Sequence, residues 1–171
     1  MKIFLNEHFV YEVQMLISAH QIHNSAATLF QANQIEMTKY IWNKNIGIEG
    51  VLMHVRNLTE FFFDKPDKKE KYARALHYLP NWLSEIEKVK ENNKELIPTI
   101  NTIRDRTDDE IVHLGWERLN KTQLTRGWSL DQIALSFINL SLVFIDKIEK
   151  DGIYYGDGLN RLKYLIYSLY T

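Results

Sequence analysis

The amino-acid sequence predicts an all-α protein, an up-and-down bundle of four to five helices. Apolar residues recur at spacings of three and four along most of the chain, the period of a helix that buries one side. No stretch shows the alternation of apolar and polar residues that is typical of a half-buried strand. The chain has 171 residues, of which 45% are hydrophobic, so it can bury one core. We interpret residues 1–171 as a single helical-bundle domain.

The first helix is predicted from residues three and four apart near the amino terminus: Phe9, Val13, Leu16, His20, Asn24 and Ala27. The segment "NKNIGIEG" follows, and its two glycines and two asparagines predict a loose approach to the next helix. The apolar stripe of that second helix is Val51, Val55, Leu58 and Phe62. The helix should end near Asp64, because "DKPDKKEK" predicts a solvated turn.

A third helix is predicted after Pro80, with Asn81 or a residue before it as the cap. Its apolar residues are Leu83, Ile86 and Val89. We expect Pro98 to kink or restart this helix, since proline lacks the amide donor that a helix interior needs.

A late helix begins at Ser129, which with Gln132 resembles a capping box. Apolar residues cover nearly every face of this helix from Ile133 to Ile145, so we expect it to be buried centrally or in a dimer interface. The run is shorter than the ~20 residues that a membrane-spanning helix needs. A short terminal helix should follow and carry Leu159, Leu162, Leu165, Ile166 and Leu169.

Composition excludes several classes of function. The 21 basic and 22 acidic residues leave a formal net charge of −1, so no overall field draws the protein to nucleic acid or to an anionic membrane. The absence of cysteine excludes disulfides, thiol catalysis and the commonest structural zinc sites. The amino terminus reaches Asn6 and Glu7 after three apolar residues, too few for a secretion signal. We expect a cytoplasmic protein.

Two groups of polar residues on the first two helices have both a functional and a structural interpretation. His20 and His23, at i and i+3, form either part of a metal site or core histidines that hydrogen-bond to another helix. No Glu-x-x-His or His-x-x-x-His pair accompanies them, so we expect no metal and no cofactor. Arg56 and Glu60, at i and i+4, form either an intrahelical ion pair or part of a ligand site.

The stretch "RDRTDDEIVHLGWER" concentrates charged and aromatic residues between Arg104 and Arg118. Seven residues at 100° each return to within about 20° of the starting direction, so Arg106 and His113 share one helix face. Glu110 lies on the same polar stripe, and with Asp109 it should favour protonated His113. An arginine and a cationic histidine on one face are a candidate phosphate-recognition pair, although the same acids repel phosphate.

An arginine followed by a histidine near the start of a late helix resembles the signature of the HEPN superfamily (higher eukaryote and prokaryote nucleotide-binding domains). Here the match is "RTDDEIVH", with six residues between Arg106 and His113. The segments "HVRNLTEFFF" and "EIVHLGWERL" resemble, in their pattern of residue types, segments of an uncharacterised bacterial branch of that superfamily. The similar positions are His54, Arg56, Leu58, Phe61, Phe62, His113, Leu114 and Arg118.

The resemblance implies either a metal-independent RNase of a toxin-antitoxin or phage-defence system, or a non-catalytic helical module that binds a partner protein, nucleotide or RNA. In an RNase, His113 would transfer the proton and Arg106 would stabilise the charge on the phosphorane. Supporting or substrate-binding roles would then fall to His54, Arg56, Glu60, Glu110 and Arg118. The implied partners are a second copy of the chain, RNA or a nucleotide, and an antitoxin protein. We expect no membrane association.

Overall fold

The apolar stripe near the amino terminus forms a long helix, α1 (Val10–Gln31), which a π-helical turn (Phe4–Phe9) precedes. The computed structural model describes residues 4–64, 73–92, 129–153 and 156–169. The buried positions of α1 are Val10, Val13, Leu16, Ile17, Ala19 and Ala26. Asn24, which we predicted on this stripe, is exposed, and its side chain donates a hydrogen bond to Asp131. Helix α1 as a whole contacts mainly its neighbour α2 (Met37–Phe63).

The prediction of an all-α bundle is confirmed: every regular element in the described residues is helical. After α2 come a 3₁₀ turn (Ala75–His77) and three further helices, α3 (Trp82–Asn92), α4 (Leu130–Lys150) and α5 (Asp157–Ser168). None of the helices in the described ranges is both long and apolar enough to cross a membrane. The predicted turn at residues 65–72 and the predicted kink at Pro98 lie outside the described residues.

The start of the second helix differs from our prediction, because "NKNIGIEG" is helical and lies inside α2. Its two glycines bring the antiparallel helices α1 and α2 into close contact. A Cβ atom added to Gly47 would lie 2.6 Å from the Cβ of His23, and one added to Gly50 would lie 2.7 Å from the Cβ of Ala19. Glycine lowers the stability of a helix, but here the missing Cβ atoms allow the two backbones to approach.

We predict that Gly50→Ala destabilises the protein by about 1–3 kcal/mol, the usual cost of overpacking. In an uncrowded helix the same change stabilises by about 1 kcal/mol. A loss of stability would therefore indicate that the two helices approach closely at this position. Adding Ala19→Gly removes the methyl group that the new Cβ meets and should restore part of the loss. Urea unfolding of the two single variants and the double variant measures this coupling. A Gly50→Ala variant more stable than wild type would contradict it.

An aromatic cluster holds the first helices against α4. Phe144 of α4 is fully buried, and its ring centroid lies 5.2 Å from those of Phe61 and Trp82 and 5.3 Å from that of Phe9. The indole of Trp82 also donates a hydrogen bond of 3.0 Å to the carbonyl of Phe62. Trp82 therefore fixes α3 to the core, whereas Leu83, which we predicted on the buried side of this helix, is partly exposed.

Helix α4 buries one broad face and not every face, which corrects our prediction. Ten of its residues from Leu130 to Ile148 are buried, but Leu135, Asn139 and Val143 follow one another at spacings of four on an exposed stripe. Most apolar residues of α4 are therefore covered within the chain, while Leu135 and Val143 remain exposed. Ser129 is the cap residue, as predicted, but its side chain makes no capping hydrogen bond.

The terminal helix α5 packs on α4 and on the amino-terminal turn. Lys163 forms ion pairs with Asp146 at 2.6 Å and with Glu149, both on α4. These hydrogen bonds raise the pKa of Lys163. At the start of α5, a Cβ on Gly158 would lie 2.7 Å from the backbone oxygen of Asn6, so only glycine lets the two segments approach so closely.

Candidate functional site

A cleft of about 280 Å³ lies beside the amino-terminal turn. It is formed by that turn, the start of α1, the second half of α2 and residues 73–74. Its described lining residues are Phe4, His8, Phe9, Glu12, Asn57, Leu58, Glu60, Phe61, Ala73 and Arg74. Ligand pockets usually begin near 300 Å³, so the cleft has room for one small group or one side chain.

A hydrogen-bonded group of three side chains joins α1 to α2 at the edge of this cleft. The Glu12 carboxylate accepts a hydrogen bond of 2.7 Å from Nδ1 of His54 and one of 3.1 Å from Nδ2 of Asn57. Since a carboxylate only accepts, the bond assigns the ring proton of His54 to Nδ1. This is the carboxylate–histidine arrangement that orients a general base, and equally a common link between helices. His54 does not itself line the cleft.

The remaining charges make the cleft acidic. Glu60 and Glu12 both line it, and Arg74 is the one cation among its described lining residues. The guanidinium of Arg74 lies 3.6 Å from Asp64, so that charge is already balanced. Glu60 lies 3.7 Å from Arg56, so its charge also has an ion-pair partner. Two carboxylates against one guanidinium among the described lining residues leave the cleft with a slight excess of negative charge.

The structure places three of the seven predicted site residues. His54 bonds to Glu12, and Arg56 and Glu60 form the predicted pair across one helical turn. Each of these three side chains therefore has a structural partner. The proposed catalytic pair, Arg106 and His113, and the supporting residues Glu110 and Arg118 lie outside the described residues.

The two histidines considered as metal ligands have separate partners. His20 and Asn24 both donate to Asp131 of α4, at 2.6 and 2.8 Å. His23 interacts with Lys44 instead: the Lys44 ammonium donates a 2.7 Å hydrogen bond to Nε2, and Nδ1 donates to the Lys44 carbonyl at 3.4 Å. Within the described ranges no three metal-ligating side chains come together.

The pKa of His23 is lowered, first by burial and then by the charge of Lys44, although nearby Asp131 opposes the shift. The unfolded chain therefore binds a proton that the folded chain excludes. The resulting stability is fully present above the ordinary histidine pKa of about 6.5 and is lost as the pH falls through the folded-state pKa.

We accordingly predict that the free energy of unfolding falls between pH 7.5 and pH 5, and that His23→Gln reduces this fall. The glutamine stays neutral throughout that range, while the Asp131 carboxyl, whose pKa is lowered by its hydrogen bonds to Asn24 and His20, titrates below it. Urea unfolding at several pH values measures the slope. An identical slope in His23→Gln would show that another group is responsible.

Six large apolar side chains form an exposed strip on the side of the α1–α2 hairpin that faces away from the core. We name this strip the back face; between 37% and 65% of each residue is exposed. Its members are Tyr11, Met15, Ile22, Trp42, Ile46 and Met53. The spacing is four and then seven residues on both helices, which keeps each set on one side. An exposed apolar surface of this kind often marks a site of protein contact.

Glu12, Asn57 and the back face were not predicted from the sequence. Glu12 adjoins the apolar stripe at Val13, and Asn57 follows His54 by three residues. On each helix, therefore, the spacing alone places a polar side chain beside the buried face. Glu12 and His54 are 42 residues apart in the sequence, so no local pattern reveals their contact. The repeated spacing in Tyr11–Ile22 and Trp42–Met53 was visible, but the glycines concealed that α2 is one continuous helix.

Comparison with known proteins adds no relative. The chain matches no protein-family model, no curated protein and no solved structure.

Proposed function

We propose that this chain is a HEPN-like helical protein that cleaves single-stranded RNA without a metal ion, as the RNase of a toxin-antitoxin or phage-defence system. The observation that carries the proposal is the pair Arg106 and His113, seven residues apart on one predicted helix face. The all-α architecture is consistent with the proposal. The absence of cysteine removes a thiol nucleophile, and the ribose itself supplies the nucleophile in this chemistry.

His113 takes the proton of a ribose 2′-hydroxyl, and the 2′-oxygen attacks the adjacent phosphorus atom in line with the leaving 5′-oxygen. Arg106 stabilises the negative charge on the phosphorane. The P–O5′ bond breaks, the leaving oxygen takes up a proton, and the products carry a 2′,3′-cyclic phosphate and a 5′-hydroxyl. The acidic cleft repels the RNA backbone, so the phosphate contacts of this proposal come from the Arg106–Arg118 segment. The proposed partners are a second copy of the chain and an antitoxin protein.

The test is RNA cleavage by the purified protein in the presence of EDTA. We expect single-stranded RNA to be cut to products with 2′,3′-cyclic phosphate ends, and DNA of the same sequence to remain intact because it lacks the 2′-hydroxyl. The ends are identified by their resistance to phosphatase before, and sensitivity after, acid opening of the ring. Intact RNA across a broad panel of sequences would overturn the proposal.

The second candidate function is a non-catalytic helical module that binds a partner protein, nucleotide or RNA. The observation that favours it is that His54, Arg56 and Glu60 each have a partner in the bundle, as residues with structural roles do. The exposed back face adds a surface suited to protein contact. RNA binding without cleavage, or cleavage that survives loss of His113, would support this module over the RNase.

A further inference from the structure

The back face is a candidate surface for a partner, and its size limits which partner can cover it. Six large side chains that are each more than a third exposed present on the order of 500 Å² of apolar surface, at the upper end for a monomer. A stable interface buries about 800 Å² on each partner. The polar residues along the two edges of the hairpin can supply the remainder, so the face is large enough for one dimer interface.

The order of side chains along α2 allows two copies of the helix to pack antiparallel with matching residues opposite each other. If two copies of α2 pack antiparallel about a point between Glu49 and Gly50, Ile46 lies opposite Met53 of the other copy. The same two-fold axis places Lys39 opposite Glu60, because both pairs of residue numbers add to 99. The apolar residues Ile46 and Met53 therefore meet at the centre, Trp42 lies opposite Asn57, and opposite charges meet at both ends of the interface. A two-fold interface requires this self-complementarity.

The charge match extends into the cleft. Lys39 is exposed near the amino-terminal end of α2 and forms no ion pair with any residue in the described ranges. Glu60 lies at the other end of the same helix face and lines the acidic cleft, which has room for a single side chain. A lysine from a second copy would add a second cation to Glu60, beside Arg56 of the same chain.

We propose that two copies of this chain associate through the back face, with their α2 helices antiparallel and Lys39 of each copy at the Glu60 cleft of the other. This inference rests on the proposed homodimer and not on RNA cleavage. It places the interface on the α1–α2 hairpin and not on α4, for which the sequence allowed either central burial or a dimer interface.

The first test is the solution mass by light scattering at micromolar concentration. Wild-type protein should have twice the chain mass of 20.3 kDa, and Trp42→Glu or Ile46→Glu should each return it to the monomer mass because they bury a charge in the apolar strip. Tyr164→Glu, at a more exposed aromatic residue on α5, is the matched control and should remain dimeric. A monomeric wild type, or a dimeric Trp42→Glu variant, would overturn the proposal.

The second test is disulfide cross-linking, which is clean because the chain has no cysteine of its own. A mixture of Ile46→Cys and Met53→Cys proteins should form the mixed disulfide in preference to either self-linked product. Tyr164→Cys should cross-link only slowly. Preferred self-linking at position 46, or equal rates for all pairs, would overturn the antiparallel arrangement.

The third test reverses the charge at Lys39. Lys39→Glu should raise the dimer dissociation constant roughly two- to fivefold, as expected for a partly exposed ion pair, and added salt should diminish the difference. An unchanged dissociation constant at low salt would remove the Lys39–Glu60 contact. RNA cleavage by the Trp42→Glu monomer, measured in parallel, separates failure of this interface from failure of the proposed enzyme activity.

Discussion

Replacing Phe144 by alanine is expected to lower the free energy of unfolding by about 3–5 kcal/mol, the cost of truncating a fully buried phenylalanine. Phe144 has no exposed surface, and its ring packs against rings from the first turn, α2 and α3. Removing it leaves a cavity whose walls belong to separate elements, and the aromatic contacts among them add to the loss.

Urea unfolding followed by circular dichroism measures this change. Val143→Ala is the matched control, because Val143 precedes Phe144 on the same helix but is partly exposed; it should cost less than about 1 kcal/mol. Losses of similar size in the two variants would show that Phe144 is not the centre of the core.

The second large effect concerns the proposed enzyme activity. His113→Ala should lower the rate of RNA cleavage by ~10²-fold or more, a typical loss when a general acid or base is removed. Arg106→Ala should cost a comparable factor through lost charge stabilisation. Both variants are expected to keep the circular dichroism spectrum of the wild type, since the sequence predicts these residues on a polar stripe beside the buried side.

Single-turnover cleavage of one labelled RNA measures the rates. Arg161→Ala provides the arginine control, because Arg161 is an exposed residue of α5 and its loss should leave cleavage unchanged. A rate that does not depend on His113 would exclude the proposed chemistry and leave the binding module as the better account.

Much of the fold was predictable because helical periodicity is a local property. Val13, Leu16 and Leu58 lie on stripes that the sequence predicts, and all three are buried. The start of α2 was not predictable in the same way. Gly47 and Gly50 lower intrinsic helix propensity, and only the neighbouring helix reveals that the missing Cβ atoms make room for His23 and Ala19.

In the candidate site, too, contacts within one helix were predictable and contacts between helices were not. The Arg56–Glu60 pair was predictable because it spans one turn of one helix. Glu12 and His54 meet only through the packing of α1 on α2, so no local pattern indicates their hydrogen bond. The Arg106–His113 pair remains a prediction, since it lies outside the described residues.

The sequence by itself determined that the described chain is helical and which residues form most of the buried stripes. It also determined that Arg56 and Glu60 form a pair within α2. These features depend on spacings of three and four residues, which every helix converts into contacts or a shared face. The tertiary structure alone decided that α4 is covered on its apolar face, that the glycines of α2 permit close packing, and that the back face is exposed. Each of these depends on which surface a second helix covers, and that is set by the arrangement of elements distant in the chain.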